Sequence, residues 1–398
     1  MENILKNYDY SIIQRKEDEY ILCYQEEYYQ VGSLVYLIMS YGKKCNTLEE
    51  ILSFLNRKDL SVENLKNIIE SSIIPALKTE NVSKKKDEES KKNYWCRYEI
   101  ASTGIARKIT MWLEPIFGNL FNYIFGISIM LNIILYLLLP KIPLNGGAYN
   151  IIAYIISLYV IYFAFLFFHE FGHIAAALKA GLKDRCINFA MYYVFPVLYV
   201  KLDDTWTLNL KERTKINLAG ITIQILMNIP LLIMMFLCKE YNLIQQILYL
   251  SFWFNTVTVA FNLIPFMKFD GYWILSDLLN IPNLMKESNN WLKSLFVKSS
   301  PFASKGIEIK GMKKIIFVSY SLLKPLFIIL LSLWGIVFLT YITIHSYYII
   351  SNLKYIDMNI ETFYDLIPDL FLILIAVIAG VRYSNIYFKY KKAKQQKL

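Results

Sequence analysis

Several apolar runs in this chain reach the roughly 20 residues that a helix needs to cross a bilayer. That length limits everything else the chain can fold into, because a segment in hydrocarbon must satisfy its own backbone hydrogen bonds. Hydrophobic residues make up 56% of the 398 and aromatics 16%. This balance fits an integral membrane protein and no soluble class. Spans are expected at about 118–139, 149–178, 216–238, 244–265, 317–341 and 366–386, six in all.

The formal charge is +10, and its distribution orients the spans. With a cytosolic N-terminus, Lys141, Lys239 and Lys354 alone of the 42 Lys and Arg fall on the outer side. The positive-inside rule then places both termini in the cytosol, in agreement with an even number of spans. No aromatic-and-basic recognition motif accompanies the charge, which argues against nucleic acid as a partner. The polar start, Met1-Glu2-Asn3-Ile4-Leu5-Lys6, shows no cleavable signal peptide. Cys23, Cys45, Cys96, Cys186 and Cys238 have no paired or C-x-x-C spacing and read as free thiols in a reducing compartment. The expected location is the cell membrane, multi-pass, with the lipid bilayer as the solvent.

Inside the second run lies Phe168-His169-Glu170-Phe171-Gly172-His173. On a helix, His169 and His173 are four residues apart and share a face. That spacing lets two imidazoles hold one zinc ion, with Glu170 beside them as general base. Ionisable residues in a span are costly and are functional candidates by default. Asn150 and His169 are 19 residues apart, about 28 Å of helix. The pair therefore sits at the inner leaflet, near the cytosolic boundary. Gly172 and Ala175-Ala176-Ala177 are small enough to admit a closely packed neighbouring helix.

A catalytic zinc site takes three protein ligands and a water. His345, the third and last histidine, falls beyond the fifth span on the outer side, too far in depth to join. The third ligand is expected to be a carboxylate at the inner end of another span, and Asp270 fits. Pro265 and Gly271 flank it in Asn262-Leu263-Ile264-Pro265-Phe266-Met267-Lys268-Phe269-Asp270-Gly271 and would break the helix, freeing Asp270 to turn inward. Asp203 and Asp204 are rivals on a polar loop that more naturally faces water. Asn262 has two open roles: helper to a reacting carbonyl oxygen, or partner to the broken backbone of span four.

Residues 1–80 read as a small soluble unit. Tyr20–Tyr24 and Tyr28–Val31, split by Gln25-Glu26-Glu27, suggest a hairpin. A helix follows Gly32-Ser33 and runs to Tyr41-Gly42. Thr47-Leu48-Glu49-Glu50 is a capping box opening a second helix, and Ser61 caps a third, with Leu65, Ile68, Ile69 and Ile73 in phase before Pro75. Residues 81–116 read as a charged linker followed by a juxtamembrane segment with Trp95, Tyr98 and Trp112. Tyr192–Val200, within the loop 182–213, is expected to form strands at the membrane surface, whose open edge must meet protein or substrate. Residues 286–316 read as a cytosolic loop, and 317–398 as two final spans with a basic tail.

A membrane-embedded H-E-x-x-H followed by N-x-x-P-x-x-x-x-D-G resembles the site-2 protease family of intramembrane zinc metalloproteases, over about residues 118–285 within a core of 117–285. The resemblance implies that His169, His173 and Asp270 bind zinc and that Glu170 activates water. Tyr272 stands where a second glycine often follows D-G. Asp270-Gly271-Tyr272-Trp273, with Ile281-Pro282-Asn283-Leu284 and Leu218-Ala219-Gly220, looks more like the peptide zinc metalloprotease branch, associated with modified-peptide and bacteriocin-type gene clusters. The element order of residues 18–80 resembles PqqD-like winged-helix domains, which hold the leader segment of ribosomally made peptides that are later modified. A structural cap or dimerisation unit is the alternative for that region.

The expected protein is thus a mainly α membrane protein with a site-2-protease-like core and a small N-terminal α+β unit. Its expected activity is zinc-dependent cleavage of a peptide near the cytosolic leaflet, in maturation of a ribosomally made peptide, with exporter or maturation enzymes as partners and a bacterial source. Regulated cleavage of a signalling membrane protein, or a non-catalytic export or immunity scaffold, are the competing readings.

Overall fold

Alternation of apolar and polar side chains sets the small unit, and long apolar stretches set the rest. The computed structural model describes residues 4–16, 19–24, 27–57, 60–77, 94–139, 148–192, 195–238, 242–281, 283–296, 311–352 and 377. Within them the protein is mostly helical. After a 3-10 turn, Ile4–Asn7, come three antiparallel strands, β1 (Tyr10–Lys16), β2 (Glu19–Tyr24) and β3 (Glu27–Val31), in the order β1-β2-β3. The expected hairpin is β2-β3, with Leu22 opposite Tyr29. β1 corrects the expectation of two strands: Gln14, Arg15 and Lys16 give half of it a polar face that reads as loop.

Three helices follow, α1 (Ser33–Gly42), α2 (Leu48–Leu55) and α3 (Val62–Ile68). Both expected caps form. Thr47 Oγ1 accepts from the Glu50 N–H at 3.3 Å while Glu50 Oε2 accepts from the Thr47 N–H at 3.5 Å. Ser61 Oγ accepts from the Asn64 N–H at 3.1 Å. A π turn (Ile69–Ile73) then shifts the ladder before α4 (Ile74–Leu77), which carries Pro75 without its missing N–H breaking the run. Leu22, Ile38, Met39, Ile51, Leu65, Ile69 and Ile73 close one apolar core beneath the sheet.

The second unit begins with a strand where a linker and interface segment were expected. β4 (Tyr94–Ala101) leads into α5 (Thr103–Leu113), a 3-10 turn (Glu114–Phe117) and α6 (Phe121–Leu138). Next come α7 (Ala148–Lys179), β5 (Ile187–Tyr192), β6 (Phe195–Tyr199), a 3-10 turn (Asp203–Thr207), α8 (Leu210–Leu237) and α9 (Asn242–Asn262). The chain then runs through α10 (Asp270–Leu279), α11 (Leu284–Phe296) and α12 (Met312–Asn352). β4 pairs with β5 and β5 with β6, so the expected strands near 192–200 exist and acquire a third partner from about 90 residues upstream. α11 makes part of the expected 286–316 loop helical.

Among the described residues, four helices are long and apolar enough to cross a membrane: Phe121–Leu138, Ile156–Lys179, Leu210–Leu237 and Met312–His345. They match the first, second, third and fifth expected spans. α9, expected as the fourth, is a helix of 21 residues outside that set. It carries buried Gln245, Gln246, Ser251 and Asn255, which dilute its apolar character. The expected sixth span, 366–386, lies outside the described residues except for Val377.

The packing of α7 on α8 positions the site. A Cβ on Gly172 would lie 2.8 Å from the Ala219 carbonyl oxygen, so the two helices approach to backbone contact, as small residues allow. Ala175, Ala176 and Ala177 continue that seam against Ile216, Ala219 and Ile223. Phe171 and Ile174 of α7 pack instead on Ile187 and Leu198, seating the β4-β5-β6 sheet beside the same helix. Farther along, Lys324 of α12 donates to the Met285 carbonyl (3.3 Å), Ser288 Oγ (3.3 Å) and Asn289 Oδ1 (2.5 Å), fastening α11 to α12.

Candidate metal centre

His169, His173 and Asp270 each offer a ligand atom, and these atoms lie within 4.8 Å of one another. The imidazoles come from one face of α7, as their spacing dictates. Asp270 comes from the first turn of α10, after α9 has ended at Asn262 and the chain has turned through Pro265. A Cβ on Gly271 would stand 2.1 Å from the Leu263 carbonyl oxygen, so only glycine permits that return. Asp270 Oδ2 is 3.2 Å from His169 Nε2, Oδ1 is 3.5 Å from His173 Nε2, and the two Nε2 atoms are 3.0 Å apart.

The chemistry of this donor set tests whether a cation fits. His173 Nδ1 faces the Ile216 carbonyl oxygen at 2.8 Å, so that nitrogen carries the hydrogen. His169 Nδ1 faces Gln224 Oε1 at 2.9 Å. The Gln224 amide orientation follows from its neighbours: Asn255 Nδ2 donates to the Gln224 main-chain oxygen at 2.8 Å, leaving Asn255 Oδ1 to accept from Gln224 Nε2 at 3.1 Å. Both imidazoles thus place Nδ1–H outward and turn an Nε2 lone pair toward a carboxylate whose Oδ2 is buried with no hydrogen-bond partner. Three acceptors facing one another without a donor are repulsive, and a divalent cation between them relieves that. Two imidazoles and a carboxylate suit zinc.

Gly220 of α8 closes the back of the site. A Cβ there would lie 2.5 Å from His169 Cε1 and 2.6 Å from each Nε2. Glu170, next to His169 in α7, is buried within electrostatic reach of both histidines and Asp270, with the Val200 backbone N–H, just past β6, beside its carboxylate. Asn262 Nδ2 lies 3.5 Å from Gln224 Oε1. Asp203 and Asp204 stay in the 3-10 turn, Asp204 paired with Arg185, and neither reaches the cluster. His345 stacks on Tyr341 in α12, ring centroids 5.6 Å apart. Tyr272, the departure from the D-G pattern, is buried among Leu279, Leu284, Phe317 and Tyr320, and its hydroxyl accepts from the Met285 N–H at 3.3 Å.

On the α8 side of the site, motif reasoning picks out Leu218-Ala219-Gly220 and misses Arg213, Asn217, Gln224 and Asn228. Arg213, Asn217, Gly220, Gln224 and Asn228 recur every three or four residues and form one stripe along α8. Polar residues in phase on an otherwise apolar span were the available signal.

The chain is similar to a Bacillus subtilis (strain 168) protein named "Putative peptide zinc metalloprotease protein YydH". It is 28% identical over 212 residues, which are 52% of this chain and 82% of that protein. No family model matches the chain, and no solved structure matches it.

Proposed function

We propose that the protein is an intramembrane zinc endopeptidase of the site-2 type, cutting a peptide at the cytosolic leaflet. The convergence of His169, His173 and Asp270 beside Glu170 carries this reading. These three residues would hold the ion. When bound, zinc supplies Lewis-acid polarisation of the scissile carbonyl and a water acidic near neutral pH. Glu170 accepts the proton of the attacking water and returns it to the departing amine, so its carboxylate must be ionised at the start. Gln224 and the Ile216 carbonyl orient the imidazoles, and Asn262 stands at the edge of the site through Gln224.

A helical substrate hides its peptide groups, so the bond to be cut must be presented extended. β6 is one of the two outer strands of its sheet and ends at Tyr199, one residue before the N–H that faces Glu170. An added substrate strand on that edge would lay a peptide bond beside the base. β3 of the N-terminal unit lies against the turn Asp203–Thr207 that follows β6. This placement favours delivery of a ribosomally made peptide by a leader held on residues 1–80, in the manner of a PqqD-like winged-helix domain; the charge asymmetry of the sequence supports both termini in the cytosol of a bacterial cell. Cleavage of a precursor peptide reconstituted with purified protein tests the reading. Glu170→Gln should keep zinc and lose about 10²–10⁴ in rate; zinc-free wild type, or full cleavage by that variant, overturns it.

A further inference from the structure

The ligand Asp270 is held by the helix it starts, and that helix is short and follows an irregular segment. Its placement therefore depends on what fastens α10 elsewhere. Asp277 lies seven residues on, two turns along the same face, and is buried. Asn217 Nδ2 donates to Asp277 Oδ2 at 2.9 Å, and Arg213 approaches Asp277 Oδ1 at 3.3 Å. Arg213 and Asp277 are 2% and 5% exposed. Arg213 in turn lies under the Trp206 ring, 4.5 Å from its centroid, and Trp206 belongs to the turn leaving β6.

The spacings on the two helices match. On α8, seven residues separate Arg213 from Gly220, against which both histidine rings rest. On α10, seven residues separate Asp277 from Asp270, which meets those rings. Each interval is about 10 Å of helix, so the ion pair at one end sets the register of ligand against imidazoles at the other. A buried ion pair is weak evidence for stability, since desolvation offsets its attraction; fixing a register is its best-attested use.

We propose that Arg213, Asn217 and Asp277 form a positioning clamp that sets Asp270 for metal binding, with Trp206 tying the clamp to the turn that follows the outer strand. These are positioning residues, acting through α10. The proposal rests on the metal-site reading above. It adds a mechanical link between the strand edge open to substrate and the one ligand that does not come from α7.

The test is cobalt binding to the full-length protein in nanodiscs, by chelator competition and by the visible d–d spectrum, which reports ligand geometry. Asp277→Asn should weaken Co²⁺ affinity by about 10- to 100-fold, the range seen when groups supporting metal ligands are removed, and should shift the spectrum. Asn217→Leu, which keeps the ion pair, should give a smaller loss with a shift in the same direction, and it serves if Asp277→Asn does not fold. Unchanged affinity and spectrum in a folded variant overturn the clamp. Wild type that takes up no Co²⁺ overturns the metal-site reading instead.

Discussion

The two units of the molecule bury different kinds of side chain. Beneath the N-terminal sheet the core is leucine, isoleucine and methionine, with the Tyr10 phenol and Cys45 thiol as its polar atoms. The buried polar and charged side chains, among the described residues, all lie at Thr110 or beyond. They concentrate where α7, α8, α9 and α10 meet. An apolar core is maintained by volume and tolerates exchange; a buried polar network must be satisfied atom by atom. The N-terminal unit therefore reads as a fold held by burial, and the second unit as a scaffold that spends stability on placing particular atoms.

Substitutions at the back of the candidate metal centre should break this contrast most sharply. Gly220→Ala drives a methyl into both imidazoles, and overpacking costs about 1–3 kcal/mol. Taken at the ligand rings, that is about 5- to 150-fold in metal affinity, with the N-terminal unit still folded by its own melting transition. Retained zinc at full occupancy in a competition assay would show that α8 does not wall the site.

Gln224→Leu should come next. It removes the acceptor of His169 Nδ1–H and takes the Gln224 Nε2 donor from Asn255 Oδ1, so affinity should fall about tenfold, the low end of what such supporting partners contribute, because the Ile216 carbonyl still holds His173. The same competition assay measures it, and no change would mean that His169 is oriented by packing alone.

The smallest effect belongs to the other unit. Tyr10 donates to the Met39 carbonyl at 2.7 Å, and burial pushes its phenol up to about 12. The folded chain then keeps a proton that the unfolded chain loses above the ordinary value near 10. Its contribution is complete below pH 10 and is lost as pH rises toward 12. Tyr10→Phe should cost about 1 kcal/mol at neutral pH and remove that part of the alkaline loss, with metal affinity untouched. Calorimetry and metal titration on the same samples check both halves.

How much of this was legible in the chain differs with the range of the interaction. The four-residue spacing that puts His169 and His173 on one face is a property of four consecutive peptide units, so it could be read directly. So could the helix break that frees Asp270, because Pro265 and Gly271 act on their own backbone, and so could both N-terminal caps. β4 could not, since Tyr94–Ala101 becomes a strand by pairing with Ile187–Tyr192, and its own composition suggests a membrane interface. α9 reads as a fourth span by length, while its buried amides answer to neighbours the sequence does not name.

The pairing of ligand with ligand shows the division most clearly. Spacing, helix rise and charge asymmetry were enough to bring His169, His173 and Asp270 to one depth, because each depends on geometry along a single segment. Which tautomer each imidazole adopts, what holds Asp270 in register and which strand ends beside Glu170 depend on Gln224, Ile216, Arg213, Asp277 and Val200. Those groups act across helices, and their contribution exists only once α7, α8 and α10 have packed and water has been excluded from between them.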